Sequence, residues 1–299
     1  MLEFFGLQYF NDGEYHYIRT AEGAWSWQHI LFVSLLMIAM VGLAVFFGLK
    51  NKNADEKTKN KVLIVSAFLI DGFEIVKIIV LCIRTQNPMH WLYVLPLFLC
   101  SIQLIAIPMA AFCKGRLREA CLDFVLIFGI LGAVFGTIGA TQNYAAYPVL
   151  SMDNVFSGVT HSISGFASLY IGISGMTSMK KKNAWITATV LMGFAVVAYI
   201  TNHIIDYNYM FLMYHDDTPY SIFYNMVGGS PIFYPIVVIG IFILYLAGFY
   251  FVYYLIQKKK NEKQEAQAIE QENAENTDVA QTFEQESKEE TATVAVANE

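Results

Sequence analysis

The chain has 299 residues, of which 56% are hydrophobic, with a formal net charge of −6 and a mean hydropathy of +0.45. Soluble domains are about 45–50% apolar, so this excess excludes an ordinary water-soluble globule. No basic patch interleaved with aromatics is present, which argues against nucleic acid as a partner and leaves membrane lipids as the expected surroundings.

The apolar residues fall in runs of about 20, the length that crosses a ~30 Å hydrocarbon core at ~1.5 Å per residue. Residues 1–26 are polar and aromatic, lack a basic start before a short apolar core, and do not read as a cleaved signal peptide. Seven spans are expected, at roughly 27–49, 62–83, 91–113, 119–140, 154–179, 184–206 and 231–256. The fold class is therefore an all-α polytopic membrane bundle, with an extracytoplasmic segment at 1–26, a transmembrane domain at 27–256 and a tail at 257–299.

Basic residues fall on alternate loops. Lys50, Lys52, Lys57, Lys59 and Lys61 follow the first span, Lys114, Arg116 and Arg118 the third, and Lys180, Lys181 and Lys182 the fifth. Lys258, Lys259, Lys260 and Lys263 follow the seventh. The opposite side has Arg19 and Arg84, and no Lys or Arg at 141–153 or 207–230. By the positive-inside rule the N-terminus lies outside and the C-terminus inside, in a multi-pass protein of the plasma membrane. Trp25, Trp27, Trp91 and Trp185 mark span starts, where amphipathic rings favour the interface. Gly129, Gly132, Gly136 and Gly139 form a stripe that lets a neighbouring backbone approach. Most of the negative charge lies in the tail, whose Glu, Gln, Asn, Ala and Thr cannot bury enough surface to offset ordering entropy. That tail is expected to be disordered.

Ionisable groups inside the spans are the functional candidates, because a charge at the bilayer centre costs about 2.5–3.5 kcal/mol or more. Asp71, Glu74 and Lys77 share one face of the second span, and Glu74 and Lys77 are placed to pair. The third helix enters from outside at Trp91, which places Cys100 about nine residues, or ~13 Å, below the outer surface. His161 lies at a similar depth on the fifth span. The sixth brings Asn202, His203 and Asp206, followed by Asn208 and Tyr209, and His29 opens the first. Gln103 is one helical turn beyond Cys100. These groups are expected to meet in one layer of the outer half of the membrane. Cys100 with His161 would make a thiol nucleophile and base, the thiol's ordinary value near ~8.5 having to fall for reaction at neutral pH. A single membrane cysteine is more often a small core hydrophobe, and a single histidine an interhelical hydrogen-bonding group. Cys82, Cys100, Cys113 and Cys121 contain no CxxC pair, and no metal ligand set, disulfide framework or cofactor motif is evident.

Several local patterns carry a family resemblance. Trp25-Ser26-Trp27-Gln28-His29 opens the first span, and Leu95-Pro96-Leu97-Phe98-Leu99-Cys100 lies in the third. His161 is followed nine residues later by Tyr170, and Asn202 precedes Asn208-Tyr209-Met210-Phe211-Leu212. In order and spacing these resemble the bacterial YwaF-type membrane proteins, related to the transmembrane protein 164 family, over about residues 25–255. The resemblance implies a membrane-embedded acyltransferase acting on lipid acyl chains, with Cys100 as nucleophile. The family pattern commonly has a histidine two residues before this cysteine, where this chain has Phe98. Proton transfer then falls to His161 or His203, or the member is altered or inactive.

Two other functions fit the same residues. A proton-coupled transporter would use Asp71, Glu74, Lys77, His161 and His203 as a relay, against which stand the odd span count and the lack of an internal repeat. A non-enzymatic receptor would use the acidic tail as output. No protein partner is indicated.

Overall fold

The computed structural model describes residues 1–177, 179–215 and 218–296, with side chains to residue 267. Two Cα-contact units divide it, Met1–Leu246 and Ala247–Glu299.

The first unit opens with a hairpin, β1 (Tyr9–Asn11) against β2 (Glu14–His16), antiparallel with Phe10 opposite Tyr15. Asp12 and Gly13 form its two-residue turn with φ of 50° and 89°. Two left-handed residues in succession are what a type I′ turn requires, and Asp-Gly is a preferred pair for it.

The helices follow as α1 (Trp27–Lys50), α2 (Glu56–Arg84), α3 (Gln103–Phe112), α4 (Gly115–Thr137) and α5 (Thr141–Ala146). They continue with α6 (Met152–Ser174), α7 (Lys181–Ile205), α8 (Ser221–Met226) and α9 (Phe233–Val296). Ser26 caps α1 by accepting from the His29 N–H at 3.3 Å, and Ser151 caps α6 by accepting from Asn154 at 3.3 Å. Gly175, left-handed at φ 71°, ends α6. Among the described residues, four stretches are long and apolar enough to cross a membrane: Trp27–Lys50, Gly115–Ala146, Lys181–Ile205 and Phe233–Gln267. Helices α2 and α6, of 29 and 23 residues, have the length but carry Asp71, Glu74 and Lys77 on the one and many Ser, Thr and Gly on the other. The architecture is a helical membrane bundle in which all seven expected apolar segments contribute.

The third segment departs from expectation. Instead of a continuous helix over 91–113, a 3-10 turn at His90–Tyr93 leads into irregular backbone, and helix begins only at Gln103. Pro96 disfavours helical φ/ψ at Leu95 and removes a backbone donor. Cys100 therefore lies in an irregular strap, and the depth computed from helical rise does not apply to it.

Packing centres on α4 and α6, with α1 and α2 also against α6, and α3 and α7 against α4. Ser164 and Ser168 of α6 donate to the carbonyls of Gly129 (3.4 Å) and Leu126 (2.6 Å). A Cβ on Gly129 would stand 2.8 Å from the Ser164 carbonyl oxygen, so this crossing needs glycine. Leu35, Ile38, Phe46 and Ile200 are exposed, as side chains that face lipid are.

The bundle sorts its loops by charge. At one end Lys180 pairs with Glu119 (2.6 Å), Arg116 donates to the Lys182 carbonyl (2.8 Å), and Arg118 reaches Glu56 and Asn60. Tyr170 donates there to the Lys59 carbonyl at 3.0 Å, and Asp123 accepts from Thr177. The basic loops after the first, third and fifth spans thus meet one another. At the other end Arg84 makes a bidentate pair with Asp153, Nη1 to Oδ2 at 2.6 Å and Nη2 to Oδ1 at 2.8 Å. Tyr17 donates to the same Oδ2 at 2.7 Å. Burial, and then the neighbouring carboxylate, push the Tyr17 phenol well above its ordinary value, so it stays a donor. Phe4 accepts from the Met152 N–H at 2.8 Å, and Glu22 accepts from Val149 at 2.7 Å, which docks residues 1–24 onto this end.

In the second unit the helix runs on to Val296. Glu, Gln, Ala and Lys favour helix intrinsically, and the backbone shows no break at residue 257, where a disordered tail was expected.

With side-chain exposures of 8% and 13%, the Arg84–Asp153 pair is buried. Removing one partner of such a pair strands the other charge, at about 3–5 kcal/mol. Asp153→Ala is expected to lose about that much in denaturant unfolding in micelles, and Tyr17→Phe about 1 kcal/mol.

Candidate functional site

A cavity of about 680 Å³ lies between α2, the strap at 93–101, the loop after α5, and the N-terminal half of α6. Its wall includes Glu74, Lys77, Arg84, Cys100, Ser101, His161 and, from the hairpin, Glu14. Glu74 accepts from Lys77 at 2.6 Å, so the two charges of α2 neutralise each other one turn apart.

Cys100 and His161 come from different elements and are both seated on α4. A Cβ on Gly132 would stand 3.3 Å from Cys100 Cβ. One on Gly136 would stand 2.4 Å from His161 Nε2. Positions four apart on a helix are neighbours on one face, about 5–6 Å apart. The thiol and the imidazole therefore rest on successive turns of one glycine track while lining one cavity. The stripe read as a helix-packing signal serves that purpose at Gly129, and at Gly132 and Gly136 it makes room for the side chains of Cys100 and His161.

The other candidates lie elsewhere. Asp71 is half-buried and outside the cavity wall. Gln103 starts α3 fully buried, its side-chain amide without a hydrogen-bond partner among the described residues, and does not line the cavity. A single turn does join it to Cys100, whose carbonyl accepts from the Gln103 N–H at 3.4 Å, but the side chain enters the core of the bundle and not the cavity. His29 stacks on Tyr144 at 3.8 Å and accepts from the Trp25 N–H at 2.9 Å, holding Trp25 in a left-handed conformation where the chain enters α1. His203 is exposed and bonds its own helix's Tyr199 carbonyl at 3.1 Å. Asp206 is the left-handed residue that ends α7.

Asn202, Asn208 and Tyr209 build a scaffold. Asn202 holds Tyr209 by its backbone, accepting from the N–H at 2.6 Å and donating to the carbonyl at 3.0 Å. Asn208 accepts from the Met213 N–H at 3.0 Å and donates to the Tyr214 carbonyl at 2.8 Å. Phe98, standing where the resembling family has histidine, packs among Tyr207, Tyr209 and Phe211 at 5.1–6.3 Å between ring centroids.

Arg84, Asp153 and Tyr147 enter the cavity wall without having been singled out as site residues. Arg84 read as a loop charge, and nothing periodic links it to a carboxylate 69 positions away. No cluster of His, Cys, Asp and Glu suited to a metal is present among the described residues.

A family model described as the TMEM164 family matches residues 24–254. The chain belongs to the TMEM164 family. No curated protein and no solved structure matches it. The TMEM164 match takes in every residue of the cavity wall except Glu14, which the preceding hairpin supplies.

The contacts at Gly132 and Gly136 predict different tolerances. At Gly136 a methyl group must displace the imidazole, so Gly136→Ala should cost about 1–3 kcal/mol of overpacking. Gly132→Ala, needing a shift of a few tenths of an ångström, should cost under about 1 kcal/mol, both read by denaturant unfolding in micelles.

Proposed function

We propose that this integral membrane protein is a lipid acyltransferase in which Cys100 is the nucleophile and His161 carries the proton. The observation that supports it is the seating of both side chains on successive turns of α4 at one cavity wall. His161 takes the Sγ–H proton as Sγ attacks the carbonyl carbon of a lipid ester. The carbon–oxygen bond breaks, the imidazolium protonates the leaving alkoxide, and a lysolipid departs, leaving a thioester on Cys100. A second lipid hydroxyl then gives its proton to His161 while its oxygen attacks the thioester. The carbon–sulfur bond breaks and the thiol is restored. With Phe98 held in aromatic packing and His203 outside the cavity, His161 is the histidine this chemistry uses.

Purified protein is expected to move acyl groups between defined phospholipids. Cys100→Ala should abolish transfer and the hydroxylamine-sensitive acyl adduct, and His161→Gln should lower transfer by about 10²–10⁴-fold. Activity of Cys100→Ala equal to that of the native protein would remove the thiol from the mechanism.

The reading also takes the cavity to face the non-cytoplasmic side of the plasma membrane, because its end of the bundle is poor in unpaired Lys and Arg. Asn87→Cys should react with an impermeant maleimide in intact cells and Asn53→Cys only after lysis. The reverse pattern would invert the topology.

A further inference from the structure

Cys100 sits in backbone that no helix or sheet fixes, yet a nucleophile has to be held within fractions of an ångström of its productive position. Local turns fix the C-terminal end of the strap: the Phe98 carbonyl accepts from the Ile102 N–H at 3.0 Å and the Cys100 carbonyl from the Gln103 N–H at 3.4 Å. Ser101 Oγ accepts from the Phe98 N–H at 3.0 Å and lies 3.1 Å from the Phe98 carbonyl, a local turn. The long-range tie comes from Tyr209, whose hydroxyl donates to the Leu92 carbonyl at 2.6 Å and accepts from the Leu95 N–H at 3.0 Å. Its ring also packs on Phe98 at 5.1 Å, two residues before the thiol.

Tyr209 is itself over-determined. Asn202 grips its backbone at both polar atoms, and Asn208 closes the turn on the other side. Inside the turn that Asn208 closes, Met210 and Phe211 are left-handed at φ 57° and 55°. Two non-glycine residues in that region store strain that persists only where surrounding bonds enforce it, a pattern concentrated at functional sites. The strain is spent on aiming one phenol at the strap.

We infer that Tyr209, clamped by Asn202, is the positioning residue for Cys100, acting on the thiol through the backbone of residues 92–100 without touching substrate. The inference deepens the acyltransferase reading and rests on it for its catalytic consequence; the mechanical consequence is independent.

The test uses the full-length protein in micelles and N-ethylmaleimide, with alkylation of each cysteine followed by peptide mass spectrometry. Tyr209→Phe keeps the ring and deletes both strap bonds. It should speed Cys100 alkylation about tenfold while leaving Cys121, which is 1% exposed in α4, protected. Asn202→Ala should give the same change, and the double variant no more than either alone, since both act along one path. In acyl transfer, Tyr209→Phe should lower kcat about tenfold with KM within about twofold, because the strap places the nucleophile and does not bind lipid. An unchanged or slowed Cys100, a Cys121 that opens in step with it, or additive effects in the double variant would each overturn the clamp. If Asn202→Ala does not fold, the Tyr209→Phe comparison decides by itself. Native protein without acyl transfer would sink the acyltransferase reading, while the alkylation result would still decide the clamp.

Discussion

The close approach that glycine permits along α4 governs the rest of this molecule. A helix that presents backbone instead of side chains lets α6 lie near enough for serine-to-carbonyl hydrogen bonds, a tight interface in a solvent where burial of apolar surface gives no drive to associate. The same track continues past the crossing and there receives a thiol and an imidazole. Helix packing and the seating of the cavity wall thus draw on one feature, and a substitution that harms the first is apt to harm the second.

Around that track the charges are divided by purpose. At the basic end they are numerous, partly exposed and joined in a loose network such as Lys180–Glu119 and Arg118–Glu56, where each pair contributes little. At the other end one pair, Arg84–Asp153, is nearly dry and is flanked by the rings of Tyr17 and Tyr147 at 5.8 and 5.5 Å. It ties α2, α6 and the N-terminal segment at the cavity mouth. A relay crossing the membrane would need titratable groups spaced between these ends. Instead Glu74 and Lys77 neutralise each other within the cavity.

Much of the fold was legible as apolar runs, since α1, α4, α7 and α9 have the length and composition of spans, and the alternation of basic loops matches the loops that meet in space. The third segment was misread because hydropathy measures transfer and not conformation: Leu95-Pro96 sat in plain view as a helix breaker. The Asp12-Gly13 turn was equally visible. The site was legible only in part. Residue type and approximate depth singled out Cys100 and His161, but the same reasoning also gathered His29, Asp71, Gln103, His203 and Asp206, which the bundle disperses. Direction around a helix and long-range partners are not encoded in depth, and for His29, Asn202 and Asn208 the polar group serves backbone that would otherwise lack a partner.

The strap has a bearing on biogenesis. Leu92 and Leu95 are bound by a phenol 117 and 114 positions later in the chain. Non-helical backbone at membrane depth is tolerated only where protein or water satisfies it. Until the ribosome has delivered residue 209, that satisfaction is missing. The backbone leading to Cys100 is thus completed late, once the loop beyond α7 has been made.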